Sequence, residues 1–246
     1  MMHSTFTAHN TALRQQAEKL VELFPCSQRA HATFKDTGKR RATDGKAIVK
    51  YVTVRKAVTP EIWTEHIAGR RPLVVGLACD DGTSRVSCVD VDDYKINRHQ
   101  LVDRIKNLGL PLYVRASKSG GAHVLAFHDE FISVDEARKV ARGMARKLGL
   151  GDKDKNEDQA EESKVEFFPK PQNPDPEKLI KGLNMPYPGG ECGIINPGSK
   201  VCGTMMLDHF LRSVVRLTAE QRAELLVVDK NQEPRTNEDG SRYAAT

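Results

Sequence analysis

Residues 88–93 read Cys-Val-Asp-Val-Asp-Asp, and they determine what we expect of both the fold and the chemistry. The stretch ends an apolar run that is typical of a buried strand. Alternate side chains of a strand share a face, so Asp90 and Asp92 should project together while the two valines point into the core. Adjacent carboxylates repel each other unless a cation lies between them, and Mg²⁺ prefers oxygen ligands. The pair therefore indicates a metal site; the alternative is a strand that runs out into an acidic turn.

Strands and helices are intermixed on both sides of this stretch. Helices are predicted at 13–24, 59–69, 97–108, 133–149, 207–215 and 218–227, and strands at 48–54, 73–79, 85–91, 112–115, 122–128, 164–168 and 183–187. The turn-forming residues 80–84 predict a hairpin between the strands on either side of them, and the polar segment 35–46 is predicted as a loop. The class is therefore α/β or α+β, and the hairpin indicates a mostly antiparallel sheet.

Composition places the chain among soluble globular proteins. It has 246 residues, of which 39% are hydrophobic and 29% charged, and this excludes a fully disordered chain. The longest apolar run, Leu73 to Cys79, is far shorter than the roughly 20 residues of a membrane helix. A secretory signal pattern is absent from the N-terminus, so we expect a cytoplasmic protein without a membrane partner.

The five cysteines do not form a recognisable framework. Their number is odd and no C-x-x-C pair occurs, which argues against disulfides and against a zinc knuckle. A zinc site built from Cys192, Cys202 and His209 is a weak alternative to buried or loop side chains.

Charge is unevenly distributed behind a net value of +5. Residues 29–71 contain eleven basic side chains and four acidic ones, whereas residues 151–163 contain two basic and six acidic ones. A basic N-terminal third indicates a polyanionic partner, either nucleic acid or nucleotide phosphates, although a solvated surface is an equal alternative. The acidic stretch is expected to be a surface loop.

A second candidate site lies between two predicted strands, at residues 115–123, which read Arg-Ala-Ser-Lys-Ser-Gly-Gly-Ala-His. Paired glycines allow positive φ and a close approach of ligand, and backbone N–H groups can form an anion nest. Ser117, Lys118 and Ser119 add donors suited to phosphate, beside His123 at the start of the next strand. The segment is not a P-loop, and by itself it is more typical of a plain turn.

A third candidate is Glu166, which lies within the apolar run 164–168 before Pro169 and Lys170. A carboxylate inside such a run needs a partner or a metal. On an edge strand it would instead face water.

The order of these pieces resembles the archaeo-eukaryotic primase superfamily. A D-x-D on a strand, a turn ending in S-G-G-x-H and an acid before F-P-K are similar to the primase-polymerase branch of phages, plasmids and conflict systems. Segments 39–45, 63–69 and 182–186 are also similar, so the resemblance extends from about residue 33 to 187. Three departures are adjacent glycines in place of G-x-G, a Glu as third acid, and Pro171 before Gln172.

The resemblance implies an α+β fold and a role for each motif. The fold would be the primase catalytic core, an RRM-like antiparallel sheet with an N-terminal α/β module and flanking helices. Asp90, Asp92 and Glu166 would be the catalytic carboxylates and the ligands of a two-metal Mg²⁺ or Mn²⁺ site. Nucleotide phosphates would be bound by Ser117, Lys118, Ser119, Gly121 and His123. Template phosphates would be bound by Lys39, Arg40 and Arg41 of the basic region.

The resemblance also predicts the domains and the activity. We expect an N-terminal helix at 1–30, a catalytic core at 31–204 (an α/β part at 31–95 and an RRM-like part at 96–204), C-terminal helices at 205–228 and a polar tail at 229–246. The activity would be that of a DNA primase-polymerase of a mobile element. It would start or extend a primer on single-stranded DNA with nucleoside triphosphates, in partnership with a helicase domain or subunit.

Two other functions use the same residues. A metal-dependent nuclease also needs clustered acids, but Lys170 follows Glu166 by four residues where a PD-(D/E)xK site has two. The other is a non-catalytic single-stranded-DNA-binding module of a replication initiator. A binding module has no need of Asp90, Asp92, His123 and Glu166 together, so the enzyme is preferred.

Overall fold

The computed structural model describes residues 2–42, 47–117, 120–150, 165–171, 181–198 and 203–227, with side chains from residue 11 onward. The helices are α1 (Met2–Leu23), α2 (Pro60–Ile67), α3 (Arg98–Leu108), α4 (Val134–Lys147), α5 (Leu207–Ser213) and α6 (Ala219–Leu226). The strands are β1 (His31–Arg40), β2 (Ala47–Val54), β3 (Val74–Val75), β4 (Thr83–Val91), β5 (Leu112–Ala116), β6 (Ala122–Ser133), β7 (Val165–Phe168) and β8 (Leu183–Asn184). They form two four-stranded antiparallel sheets.

The second sheet has the order β5-β6-β4-β7 and is built by the chain order β4-α3-β5-β6-α4-β7. This is a βαββαβ unit, in which the first strand lies in the middle of the sheet, between the third and fourth. The first sheet has the order β2-β1-β3-β8. The helices α1 and α2 contact each other and pack in the same hydrophobic core as β3 and β8. The predicted α+β class, with an RRM-like sheet beside an N-terminal α/β module and flanking helices, is confirmed.

Strand alternation in β4 divides the hydrophobic interior into two cores. Val89 and Val91 point to one face of the second sheet, where α3 and α4 cover them. Cys88 points to the other face and packs in a core that includes Phe24, just after α1, and Trp63 of α2. Asp90 shares the face of Cys88, because it lies two residues further along the strand. It therefore projects into the space between the two sheets.

The hairpin predicted between residues 73–79 and 85–91 is wrong. The turn exists, since the Cys79 amide donates to the Thr83 carbonyl at 2.8 Å, but the strands beside it belong to different sheets. β3 contains two residues and pairs with β1 and β8, while the Leu77 carbonyl accepts from the Ser84 hydroxyl at 2.7 Å. Both runs are buried on both faces, so their composition carries no information about which strand each one pairs with.

The loop predicted at 35–46 is also wrong over its first half, because β1 continues to Arg40. Lys35 lies opposite Lys50, and Asp36 lies opposite Val49 of β2. Backbone hydrogen bonding to β2 thus keeps this segment in a strand, although its polar composition predicts a loop. Residues 43–46 lie outside the described part of the chain, as do the acidic stretch 151–163 and the tail 229–246.

The remaining strand predictions differ mainly in length. The strand predicted at 183–187 is limited to Leu183–Asn184, because Tyr187 adopts a left-handed φ of 64° and turns the chain. A division of the core at residue 95 would separate β4 from its partners β6 and β7. We therefore propose that the RRM-like part begins with β4. Among the described residues, no helix combines the length and the apolar character needed to cross a membrane.

The buried His66 joins α2 to the segment that follows β8. Its Nε2 lies 2.9 Å from the Pro186 carbonyl oxygen, and its Nδ1 accepts from the Leu73 amide at 2.9 Å. Gly69 is needed at the same junction: its φ is +74°, and an added Cβ would lie 3.1 Å from Gly189 Cα. The segments at 63–69 and 182–186 therefore contact each other in the folded chain.

The buried histidines predict a pH-dependent stability. Burial is the main cause that lowers the pKa of His66 and of His128 to about 4. Because the unfolded chain then binds more protons below pH 6.5, acidification from pH 6.5 toward pH 4 reduces the free energy of unfolding. The loss is at most about 2 kcal/mol per histidine at pH 5.

Urea unfolding at pH 7 and pH 5 measures this effect. His66→Ala should be less stable at pH 7 and should lose less stability on acidification than the unmodified protein. His209→Ala, at an exposed position, is the matched control. An unchanged pH dependence in His66→Ala would contradict the assignment.

Candidate active site

Strand register places four polar side chains in one row across the second sheet. Asp90 of β4 lies opposite His123 of β6 on one side and opposite Glu166 of β7 on the other. His123 in turn lies opposite Arg115 of β5. Directly opposed residues project from the same face of a sheet. The row Arg115-His123-Asp90-Glu166 therefore faces the N-terminal sheet, with Asp90 at its centre.

A pocket of about 430 Å³ opens above this row. Asp90, Asp92, Ser117, His123 and Glu166 line it on the side of the second sheet. The opposite side is the β1–β2 hairpin, and residues 181–184 close one end; the lining residues there are Phe34, Ala47, Val49, Tyr51, Lys181, Gly182, Leu183 and Asn184. The site is thus a cleft between the two sheets, and neither sheet forms it alone.

Asp90 and His123 lie side by side in the pocket, with His123 buried and Asp90 partly buried. The Asp90 Oδ1 is buried and has no hydrogen-bond partner, although His123 Nε2 lies 3.2 Å away. Burial, followed by the charge of Arg115, lowers the pKa of His123, although Asp90 opposes this shift. The imidazole is therefore neutral at pH 7. An uncompensated carboxylate oxygen in a buried position is a site where a cation or a donor would be stabilised.

Glu166 has a different environment, because two lysines neutralise it. Lys181 Nζ lies 2.5 Å from Oε1 and 2.7 Å from Oε2, and Lys170 Nζ lies 3.2 Å from Oε2. Burial by itself would raise the pKa of Glu166, but the two ammonium groups lower it below its ordinary value. The carboxylate is therefore ionised at neutral pH.

The glycine-rich turn follows the end of β5, and each glycine in it has a separate reason. Gly120 has a φ of +101°, which L side chains rarely adopt. Gly121 is packed against β4: an added Cβ would lie 2.0 Å from the Val91 carbonyl oxygen. The turn is closed by the Ser117 amide, which donates to the Gly121 carbonyl at 3.0 Å. The departure from G-x-G in this chain thus fits the local packing.

Two predicted phosphate-binding residues, Lys118 and Ser119, lie outside the described residues. Ser117 is buried and lines the pocket, and Gly121 lies beside it in the turn. The structure thus brings Ser117 and His123 to one pocket with the carboxylates.

The predicted nucleic-acid-binding residues are not in the pocket. Lys39, Arg40 and Arg41 lie at the far end of β1 and just beyond it, exposed to solvent. Arg40 is paired with Asp36 at 3.2 Å. Arg40 lies opposite Ala47, which lines the pocket, so these exposed side chains lie beside the cleft.

A family model for the archaeo-eukaryotic primase domain of TOTE conflict systems matches residues 28–176. This match covers more than half of the chain. The chain belongs to the archaeo-eukaryotic primase (AEP) domain family. At the level of the family, it is a nucleotidyltransferase-type enzyme of the primase-polymerase kind.

Comparison with solved structures finds distant likenesses to this AEP domain. The AEP domain of the cyanophage S-2L primase-polymerase has a TM-score of 0.40 and 13% identity, covering 82% of this chain and 98% of that one. The catalytic domain of primase RepB′ in complex with initiator DNA has a TM-score of 0.35 and 11% identity, covering 90% and 98%. The polymerase domain of Mycobacterium tuberculosis ligase D in complex with DNA has a TM-score of 0.30 and 14% identity, covering 57% and 63%. No curated protein matches the sequence.

Only part of the expected carboxylate set of this AEP domain fits a divalent metal. Among the described residues, no group of three or more His, Cys, Asp or Glu side chains is arranged to hold an ion. Asp90, with its unpartnered buried oxygen, and Asp92, on the same pocket wall, fit a cation as a pair. Glu166 does not join them in this arrangement, because its oxygens are bound by lysines. Cys202, one of the three ligands of the zinc alternative, lies outside the described residues.

Sequence reasoning missed Arg115 as a part of the AEP site. Its side chain is 1% exposed, and its Nη1 donates to the Asn184 carbonyl at 2.8 Å. It thereby fixes β8 to the second sheet and places a buried cation near Asp90 and His123. Phe34, Tyr51 and Lys181 were missed as well. The available signal was the presence of Phe34 and Tyr51 inside the basic segment 29–71.

The close packing of the glycine turn predicts the effect of Gly121→Ala. The added methyl group would collide with the Val91 carbonyl and push the turn away from β4, at a cost of about 1–3 kcal/mol in stability. Nucleotide incorporation should fall further than stability explains, because His123 follows the turn and β4 carries Asp90.

Thermal unfolding together with an incorporation assay below the unfolding temperature measures both effects. Gly198→Ala is the control, because its added Cβ would make only an ordinary contact of 3.4 Å with the Asn196 side chain. Equal stability of Gly121→Ala and Gly198→Ala would contradict the role of close packing.

Proposed function

We propose that this AEP domain is a DNA primase-polymerase, which starts or extends a primer on a single-stranded DNA template by two-metal phosphoryl transfer. The observation that carries the proposal is the polar row at the floor of an inter-sheet cleft, with Asp90 between His123 and Glu166. Family membership supports the class of reaction. The residue roles below are part of the proposal.

Asp90 and Asp92 would hold Mg²⁺ or Mn²⁺ at the mouth of β4. When bound, the divalent ions supply charge that activates a 3′-hydroxyl and stabilises the pyrophosphate leaving group. The protein holds Asp90 on a strand that is hydrogen-bonded on both sides, with Asp92 directly after the end of that strand, so Asp90 needs no reorganisation before the reaction. Glu166 would be the third carboxylate of the site.

His123 and the glycine turn would position the triphosphate. His123 is neutral and buried, so one of its ring nitrogens can donate to a phosphate oxygen without carrying a charge into the cleft. Ser117 lines the same pocket, and Lys118, Ser119 and the backbone at Gly121 are proposed as further donors. Most of the rate enhancement would come from this positioning and from charge neutralisation.

The β1–β2 hairpin would carry the template. Phe34 and Tyr51 line the cleft and contact each other edge to face, with ring centroids 5.6 Å apart. Tyr51 is 57% exposed, so one face of its ring is open to a base. Lys39, Arg40 and Arg41 extend along the same hairpin, where they would bind backbone phosphates without reading sequence.

The carboxylates provide the first test. Asp90→Asn and Asp92→Asn should reduce Mn²⁺-dependent incorporation on a primed single-stranded template by roughly a hundredfold or more, because each removes charge from the site of the transition state. Binding of single-stranded DNA should change little. Asp103→Asn, on the exposed side of α3, is the matched control.

Three outcomes of this assay separate the alternatives. Activity that survives in both Asp variants would contradict the polymerase proposal. Degradation of the template in place of extension would indicate the nuclease. An unmodified protein that binds DNA without any product, primed or unprimed, would indicate the binding module.

Tyr51 tests the location of the template. Tyr51→Ala should weaken the binding of single-stranded DNA about five- to a hundredfold, since stacking on an aromatic side chain contributes ~1–3 kcal/mol per base. Tyr51→Phe should bind nearly as well as the unmodified protein. Fluorescence anisotropy with a labelled oligonucleotide at fixed salt measures the affinity, and equal weakening by both variants would argue against stacking.

A further inference from the structure

Lys181 is the residue whose position the proposed function does not yet explain. Its ammonium group contacts both oxygens of Glu166, at 2.5 and 2.7 Å, and its side chain is 62% exposed where it lines the cleft. Its backbone, in contrast, adjoins β8, and Gly182 packs closely on β3, where an added Cβ would meet Val74 at 2.9 Å. A fixed backbone thus carries a long, solvated side chain into the site.

Lys170 is the second cation on Glu166, and its environment differs. Its side chain is 25% exposed, its Nζ reaches one oxygen at 3.2 Å, and it lies over the Phe168 ring at 4.8 Å from the centroid. The ring and the carboxylate together hold it in place. Of the two lysines, Lys181 is therefore the one with the freedom to leave Glu166.

Electrostatics makes Lys181 and a divalent ion competitors. Both would use the same two oxygens of Glu166, and like charges at such a separation repel each other. Asp90, one strand away, has a buried oxygen without a hydrogen-bond partner. Lysine ammonium groups thus contact Glu166 directly. The buried cation near Asp90, Arg115, donates to a backbone carbonyl instead.

We propose that Lys181 is an exchangeable counter-ion of the active site. It neutralises Glu166 while nucleotide is absent, and it moves to a phosphate of the nucleoside triphosphate when a divalent ion binds to Glu166. The flexible four-carbon stem and compact charge of lysine suit such a move between two anions in one cleft. The inference rests on the proposed function and assigns a positioning role to a residue outside the three motifs.

Mn²⁺ alone tests the first half of the exchange. Electron paramagnetic resonance of free Mn²⁺ gives the affinity of the full chain without nucleotide. Lys181→Met removes the competing charge at similar volume, so Mn²⁺ should bind more tightly, on the order of tenfold. Lys170→Met, the matched control, should change the affinity less, and Asp90→Asn should weaken it. Unchanged or weaker Mn²⁺ binding in Lys181→Met would overturn the proposal.

A non-hydrolysable deoxynucleoside triphosphate with saturating Mn²⁺ tests the second half. Lys181→Met should bind it on the order of tenfold more weakly, and Lys181→Arg should recover part of the affinity because it keeps the charge. Nucleotide binding as tight as in the unmodified protein would overturn the exchange, even if Mn²⁺ binding had become tighter.

The two proposals fail in different ways. If the unmodified chain extends primers and depends on Asp90, but Lys181→Met matches it in both affinities, only the exchange fails. If the unmodified chain shows no incorporation and binds no Mn²⁺, the proposed function fails, and the exchange fails with it.

Discussion

The register of β6, β4 and β7 is the constraint on which the site depends. Because β4 is paired on both sides, Asp90 has His123 and Glu166 as its two cross-strand neighbours. A slip of one residue in either pairing would turn the partner side chain toward the helices and bury a polar group in the apolar core. The valines on either side of Asp90 prevent such a slip, since each is buried under α3 and α4. Hydrophobic packing on one face thus sets the geometry of the chemistry on the other.

The same row brings charges of both signs close together in a partly buried cleft. Arg115 is buried behind His123, and two lysines lie against Glu166, whereas Asp90 retains an oxygen without a donor. Burial of charge is costly unless it is paired, so this uneven distribution marks where the site is incomplete without a ligand. It also distinguishes Glu166, which lysines already neutralise, from Asp90, although the D-x-D and Glu motifs present these carboxylates as equivalent.

The N-terminal sheet is more than a support for this row. His66 and Arg115 each bind a backbone carbonyl in residues 184–186, and these two hydrogen bonds fix the connection between the sheets. As a result, Phe34 and Tyr51 of the basic hairpin lie across the cleft from the carboxylates. On the proposed function, the template would be bound and copied on opposite walls of one pocket.

The sequence by itself determined the α+β class, the strand that carries Asp90 and the three motifs, because alternation, capping and turn chemistry act over a few residues. It did not determine which strands pair: residues 73–79 and 85–91 are buried on both faces, so their composition fits either sheet. It also could not find Arg115 or Lys181, since a buried arginine and a lysine on Glu166 are defined by partners 69 and 15 residues away. Those long-range contacts, and the cleft that they close, were decided only by tertiary structure, because they form when two separately paired sheets pack against one core.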